Sequence, residues 1–225
     1  MARRSTELKA DILDQISEGV ADLKAETEEV CRRAFSEGME PQMILAAISR
    51  GLDEVGKRYE AGEYFIPELL AAGEIAEKAT AVLRGVKGLS LNSASAKMVL
   101  GTVKGDTHDI GKNVVGAMLR GAGIDVVDLG VDISAERFVQ AVKDHSPALL
   151  GMSSLITTRM TYMETVVKAL EESGLRNKVI VVVGGRPVTQ EFADRIGADG
   201  YAPDAVAAKA MVQRLLGEDE AGRGK

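Results

Sequence analysis

Apolar positions recur every three or four residues through the first third of the chain. Ile12, Ile16, Val20 and Leu23 place a helix over 11–23. A second helical pattern covers 26–37 and stops at Gly38, a residue suited to the left-handed turn that closes a helix. Pro41 fits the first turn of a third. Along it Ile44, Ile48, Leu52, Val55 and Tyr59 keep the spacing until Gly62. Pro67 stands early in a fourth, which carries Ile66, Leu69, Leu70, Ala76, Ala79 and Leu83. Four helices with short joints predict an antiparallel bundle.

The stretch 85–96 has no period and is rich in Gly, Ser, Lys and Asn, which reads as a linker. Beyond it the pattern changes. Short apolar runs at 97–103, 125–129, 148–152, 179–183 and 200–201 read as strands. Helical patterns at 110–122, 135–143, 161–172, 190–195 and 204–216 separate and follow them. The run Val179-Ile180-Val181-Val182-Val183 suits a strand buried on both faces. Such alternation predicts an α/β unit with a parallel sheet and helices on both sides. Ligands of such sheets sit beyond the carboxyl ends of the strands. The loops after Val103, Met152 and Val183 are therefore the places to search for chemistry. The charged tail 217–225 is expected to be disordered.

Composition narrows the classes. Apolar residues make up 45% of the chain and aromatics 4%, with no Trp, so the core must be aliphatic. A net charge of −6 argues against nucleic acid or an anionic membrane as the main partner. No apolar run reaches the roughly 20 residues of a membrane span. Residues 1–9 are polar with no signal core behind them. The single cysteine, Cys31, cannot form an internal disulfide and reads as a small hydrophobe. These features suit a reducing cytoplasm.

The first of the three loops reads Gly105-Asp106-Thr107-His108-Asp109-Ile110-Gly111-Lys112. A neutral imidazole ligates borderline transition metals. A ligating histidine normally gives its other N–H to a carboxylate, and Asp106 is two residues away. The bland alternative is a helix cap with a nearby histidine. The only other histidine, His145, reads as a solvated helix-end residue. Zinc wants three or four protein ligands, and no matching loop offers a second His or Cys. One histidine with one orienting aspartate makes sense where a tetrapyrrole-like ring brings the other ligands.

The spacing then becomes specific. Asp106-Thr107-His108-Asp109-Ile110-Gly111 is followed, after 41 residues, by Ser153-Ser154-Leu155, and after 28 more by Gly184-Gly185. This resembles the Asp-x-His-x-x-Gly, Ser-x-Leu and Gly-Gly signature of the cobalamin-binding module of methionine synthase. It is more closely similar to the two-domain corrinoid proteins of methyltransferase systems, over about residues 8 to 216. The resemblance implies a helical cap at 1–92, a flavodoxin-like (Rossmann-like) five-stranded parallel-sheet B12-binding domain at 93–217, and a tail at 218–225. It implies base-off, His-on binding, with His108 on cobalt in place of the cofactor's own benzimidazole and Asp106 as its partner. Gly105, Thr107, Asp109, Ile110, Gly111, Ser153, Leu155, Thr157, Gly184, Gly185 and Tyr201 would line the cofactor. Ser153 would hydrogen-bond the benzimidazole end, Leu155 would wall its slot, and the two glycines would let the nucleotide tail pass close to the backbone. In the cap, Tyr59 and Ile66 would cover the upper corrin face.

One position departs from the family. Where methionine synthases place a serine that extends the His–Asp pair, this chain has Arg159. Thr157 or Thr158 is the alternative source of a hydroxyl, and an Arg159–Asp106 pair would lower that carboxyl's pKa.

The implied function is a methyl carrier, a corrinoid subunit active only with partners. It would accept a methyl group on Co(I) cobalamin, or a related corrinoid, from a donor on a substrate-specific methyltransferase. As methylcobalamin it would hand the group to a second methyltransferase with a folate or thiol acceptor. A reductive activase would restore the carrier. The linker would act as hinge for the cap. Methanol, methylamines, betaines and aryl methyl ethers are all donors served by carriers of this shape. Rival readings are a cobalamin-dependent regulator, which would carry a DNA-binding segment and a Trp-containing cap motif, and the cobalamin subunit of a radical mutase, which would lack the cap. A cofactor-free flavodoxin-like signalling domain leaves the spaced signature unexplained.

Overall fold

The computed structural model describes residues 2–83 and 96–223. The linker expected at 85–96 lies outside them but for Ala96. Two compact units are present. One runs to Ala94 and takes in Ala117–Gly123; the other holds Ser95–Gly116 and Ile124 onward.

The first unit is built on α1 (Ala2–Ala21), α2 (Thr27–Ser36), α3 (Pro41–Glu60) and α4 (Ile66–Ala81). Its stops are chemical. Gly38 and Gly62 both take positive φ just past a helix end. There the Gly62 amide donates to the Tyr59 carbonyl and the Glu63 amide to that of Arg58, so the last carbonyls of α3 are satisfied. At the start of α4 the Glu68 carboxylate accepts the Phe65 amide at 2.8 Å. Ile12, Ile16 and Val20 of α1 are buried, as are Ile44, Ile48, Leu52 and Val55 of α3 and Leu69, Ala72 and Ala76 of α4. Arg58 ties the turn after α3 to the end of α1: its guanidinium donates to the Ala21 carbonyl and to Asp22, each at 3.0 Å. Cys31 is buried in this unit, and burial, with Glu28 nearby, pushes its thiol up to about 12.

The second unit holds a five-stranded parallel sheet of β1 (Lys97–Thr102), β2 (Asp125–Asp128), β3 (Leu149–Ser153), β4 (Ile180–Gly184) and β5 (Gly200–Ala202). The order is β2-β1-β3-β4-β5. This is the flavodoxin-like arrangement, whose switch point lies between β1 and β3. Helices α5 (Ile110–Gly121), α6 (Ala135–His145), α7 (Thr157–Met160), α8 (Tyr162–Glu172), α9 (Gln190–Ile196) and α10 (Ala205–Arg223) alternate with the strands. Val99, Leu150, Val181 and Val183 of the sheet form one core with Phe138 of α6, Met163 and Val166 of α8 and Phe192 of α9. The alternation of strands and helices predicted the parallel sheet, and the family resemblance implied its flavodoxin-like form.

Four features differ from the expectation. α1 begins at Ala2, ahead of the start predicted at 11, and ends at Ala21, short of 23. α7 has no counterpart in the periodicity, because four residues cannot show a period. A short 3-10 turn at Arg176–Lys178 has none either. α10 continues to Arg223 through the segment expected to be disordered. Gly217 inside a helix costs about 1 kcal/mol, and the Glu, Asp and Ala residues after it are no helix breakers. No helix among the described residues is long and apolar enough to cross a membrane.

α1 and α3 pack tightly at Gly51. A Cβ there would lie 2.6 Å from the Ser17 carbonyl oxygen and from Val20 Cβ. Alanine at 51 gains about 1 kcal/mol of helix propensity, but forcing a methyl against backbone costs about 1–3 kcal/mol. Gly51→Ala is expected to lower stability in urea unfolding; a more stable variant would show that α1 simply yields.

Candidate functional site

Four parallel strands end level with one another. Thr102 of β1 is in register with Ser153 of β3, Ser153 with Gly184 of β4, and Gly184 with Ala202 of β5. The loops that leave this row carry the residues singled out above. Gly105, Asp106, Thr107, His108 and Asp109 follow β1, with Ile110 and Gly111 opening α5. Ser153 ends β3, with Leu155 and Thr157 after it; Gly184 ends β4, with Gly185 next; Tyr201 sits in β5. Tyr59, half-buried near the end of α3, and Ile66, exposed at the start of α4, belong to the helical unit.

Asp106 organises these loops. Its side chain has no solvent exposure. Oδ1 contacts His108 Nδ1 at 2.8 Å and accepts the His108 amide at 3.0 Å. Oδ2 accepts the Ser154 hydroxyl at 2.8 Å, the Leu155 amide at 2.7 Å and the Ile156 amide at 3.1 Å. Burial alone would raise the pKa of this carboxyl. The His108 amide and ring, the Leu155 amide and the Ser154 hydroxyl outweigh burial and hold it well below the usual carboxylate range. The His108 carbonyl is fixed in turn by Thr102 Oγ1 at 2.9 Å. The His108 side chain is still 53% exposed, between Ile110 at 67% and Leu155 at 47%.

The hydroxyl on Asp106 comes from Ser154, where Thr157 or Thr158 was the expected source. Thr157 and Thr158 lie exposed in the first turn of α7. Arg159 makes no ion pair with Asp106; its side chain packs across Gly105, where a Cβ would meet Arg159 Nε at 2.7 Å. Burial explains the exchange. Asp106 faces the turn after β3, where two amides and a hydroxyl converge, while Arg159 stays exposed on the outer side of the loop.

The two glycines answer to the protein's own backbone. A Cβ on Gly184 would lie 2.8 Å from the Ala202 carbonyl oxygen, and one on Gly185, at φ +114°, would overlap that of Ser154. The protein's own packing thus already requires glycine at both positions.

The sequence matches the model of the B12 binding domain over residues 96–210, and a second model described in the same words over 12–84. A dimethylamine corrinoid protein of Methanosarcina barkeri is 38% identical over 213 residues, spanning 92% of this chain and 99% of that protein. The chain belongs to the corrinoid-protein family. Among solved structures, a cobalamin-binding protein from Desulfitobacterium hafniense superposes with a TM-score of 0.78 at 35% identity, over 90% of this chain and 97% of that one. A chain of the methanol:cobalamin methyltransferase complex from Methanosarcina barkeri gives 0.75 at 27% identity, over 92% and 80%. The cofactor of this corrinoid protein is cobalamin or a related corrinoid.

The donor set fits that group. Among the described residues no cluster of three or more His, Cys, Asp or Glu side chains could hold a bare metal ion. A macrocycle that brings its own equatorial nitrogens needs one protein ligand. With Nδ1 committed to Asp106, His108 Nε2 is the nitrogen left to serve. Exposed Ile110 and Leu155 beside it give an apolar surface suited to a flat ring.

Two measurements on the cofactor-free chain test this construction. Gly185→Ala should cost about 2 kcal/mol or more in chemical unfolding, from overlap and positive φ together. Asp106→Asn should cost about 2–4 kcal/mol at pH 7. Because the folded-state pKa of Asp106 is depressed, its contribution is complete above the ordinary aspartate value of about 4 and is lost as pH falls below it. The gap between wild type and Asp106→Asn should therefore close as pH falls below about 4. A gap that stayed fully open in strong acid would contradict the assignment.

Proposed function

We propose that this protein is a methyl carrier that binds its corrinoid base-off, with His108 Nε2 as the lower axial ligand to cobalt. The observation that carries the reading is the 2.8 Å contact between His108 Nδ1 and a buried Asp106, where the described residues include no cluster that could hold a bare metal ion. When bound, the corrinoid supplies a cobalt centre that in its most reduced state takes a methyl group and later gives it up.

The chain's residues do the rest. Asp106 fixes the tautomer with the proton on Nδ1 and leaves the Nε2 lone pair for the metal. Its bonds to Leu155 and Ile156 keep the loops after β1 and β3 at a set separation, which holds the ring in place. Ser153, at the level of the row, is assigned to the benzimidazole end of the displaced tail. Leu155 is assigned to the wall of its slot, and Gly184 and Gly185 to the floor. Thr107, Asp109, Gly111, Thr157 and Tyr201 complete the lining.

The partners follow from the division of labour. The relative is a dimethylamine corrinoid protein, and the methanol complex pairs such a chain with a methyltransferase. A methyltransferase specific for the donor is accordingly the first partner here. A second methyltransferase, with a folate or thiol acceptor, and a reductive activase complete the cycle.

Anaerobic loading with hydroxocobalamin tests the ligation. Wild type should bind it with an absorption spectrum showing a protein imidazole on cobalt. His108→Ala should lose that signature, and Asp106→Asn should weaken ligation about 10–100-fold. An unchanged spectrum in His108→Ala would remove the basis of the proposal.

A further inference from the structure

We propose that Asp132, in the loop after β2, is a positioning residue for His108, acting through the backbone of Gly105 and Asp106; this rests on the ligation reading above. Among the described residues, Asp132 is one of three non-glycine residues with positive φ, at +57°. Glycine takes this conformation most readily, and aspartate is among the few others that tolerate it. A residue other than glycine here implies that its side chain is used.

Its carboxylate holds the histidine loop: Asp132 Oδ1 accepts the Gly105 amide at 2.7 Å. Its own amide donates to the Asp106 carbonyl at 3.0 Å. Asp132 thus grips two consecutive residues of the histidine loop, one through its carboxylate and one through its backbone.

The surrounding bonds show where this grip belongs. The β1–β2 ladder ends at Leu100 and Asp128, yet pairing continues beyond it. The Leu129 amide donates to the Leu100 carbonyl, the Thr102 amide to that of Gly130, and the Ile133 amide to that of Thr102. Val103 and Ile133 form an isolated bridge. The loop after β2 therefore runs alongside the loop after β1, and Asp132 is its outermost contact. The backbone of Asp106 is held from the β2 side while its carboxylate is held from the β3 side. Releasing the first hold leaves the second in place but lets the loop rock about it.

Two variants of the full chain separate this role from simple stability. Asp132→Gly keeps the left-handed backbone and deletes the carboxylate. Asp132→Asn keeps an acceptor at Oδ1. In the cofactor-free protein, exchange of the Gly105 amide should be about tenfold faster in Asp132→Gly and near wild type in Asp132→Asn. In protein labelled with nitrogen-15 histidine and loaded with Co(II) cobalamin, electron paramagnetic resonance reports imidazole on the metal. There Asp132→Gly should show about three- to tenfold weaker ligation, a smaller loss than that expected for Asp106. Asp132→Asn should restore it, and the melting midpoint of Asp132→Gly should not fall.

The proposal is overturned if Asp132→Gly leaves exchange and ligation unchanged, if Asp132→Asn behaves like Asp132→Gly, or if weaker ligation merely tracks a lower melting midpoint. His108→Ala in the same resonance experiment is the separate control. Were it to retain the labelled-nitrogen splitting, the ligation reading would fall, while the Gly105 exchange result would still judge the Asp132 contact.

Discussion

A single buried carboxylate holds the site together. Asp106 is cut off from water, and an ionised group there is tolerable only if protein donors replace its hydration. They come from two directions: the histidine loop supplies an amide and an imidazole, and the turn after β3 supplies two amides and a hydroxyl. The charge therefore joins two loops that leave adjacent parallel strands, at the switch point where this fold opens a crevice. The orientation of His108 is a by-product of satisfying that anion. A metal-binding imidazole on a mobile loop would have to be ordered on binding; here the ordering is built in beforehand.

Much of the fold was legible because it is written in local periods. The bundle helices and the alternating strands and helices follow from side chains spaced by 3.6 or 2 residues, and most boundaries fall at glycines or prolines whose backbone demands are local. The residues that finish the site carry no such signal. Ser154 stands beside Ser153, and which of the two reaches Asp106 depends on where β3 ends and how its chain turns. The partners of Asp106 lie 48 to 50 residues away in sequence, and Asp132 lies 27 from Gly105. Asp132 in particular looks like an ordinary polar loop residue until its backbone angle is seen.

Arg159 and the glycine pair show the same limit from the other side. Charge alone suggested an Arg159–Asp106 pair, yet the guanidinium lies across Gly105 while neutral donors take the carboxylate. A spaced Gly-Gly was read as clearance for a ligand. The more immediate reason is that the Ser154 and Ala202 carbonyls already occupy the space a side chain would need. Motif residues can thus be fixed by the apoprotein's own packing.

The level ending of the strands carries one more implication. A parallel strand advances about 3.3 Å per residue, more than the length of the bonds that Asp106 makes. Deleting one residue from β1 or β3 would withdraw its loop by that distance and turn its side chains to the opposite sheet face. The site therefore depends on strand length as well as on the identity of its side chains. Variation among relatives should collect beyond the row, leaving the strands themselves of constant span.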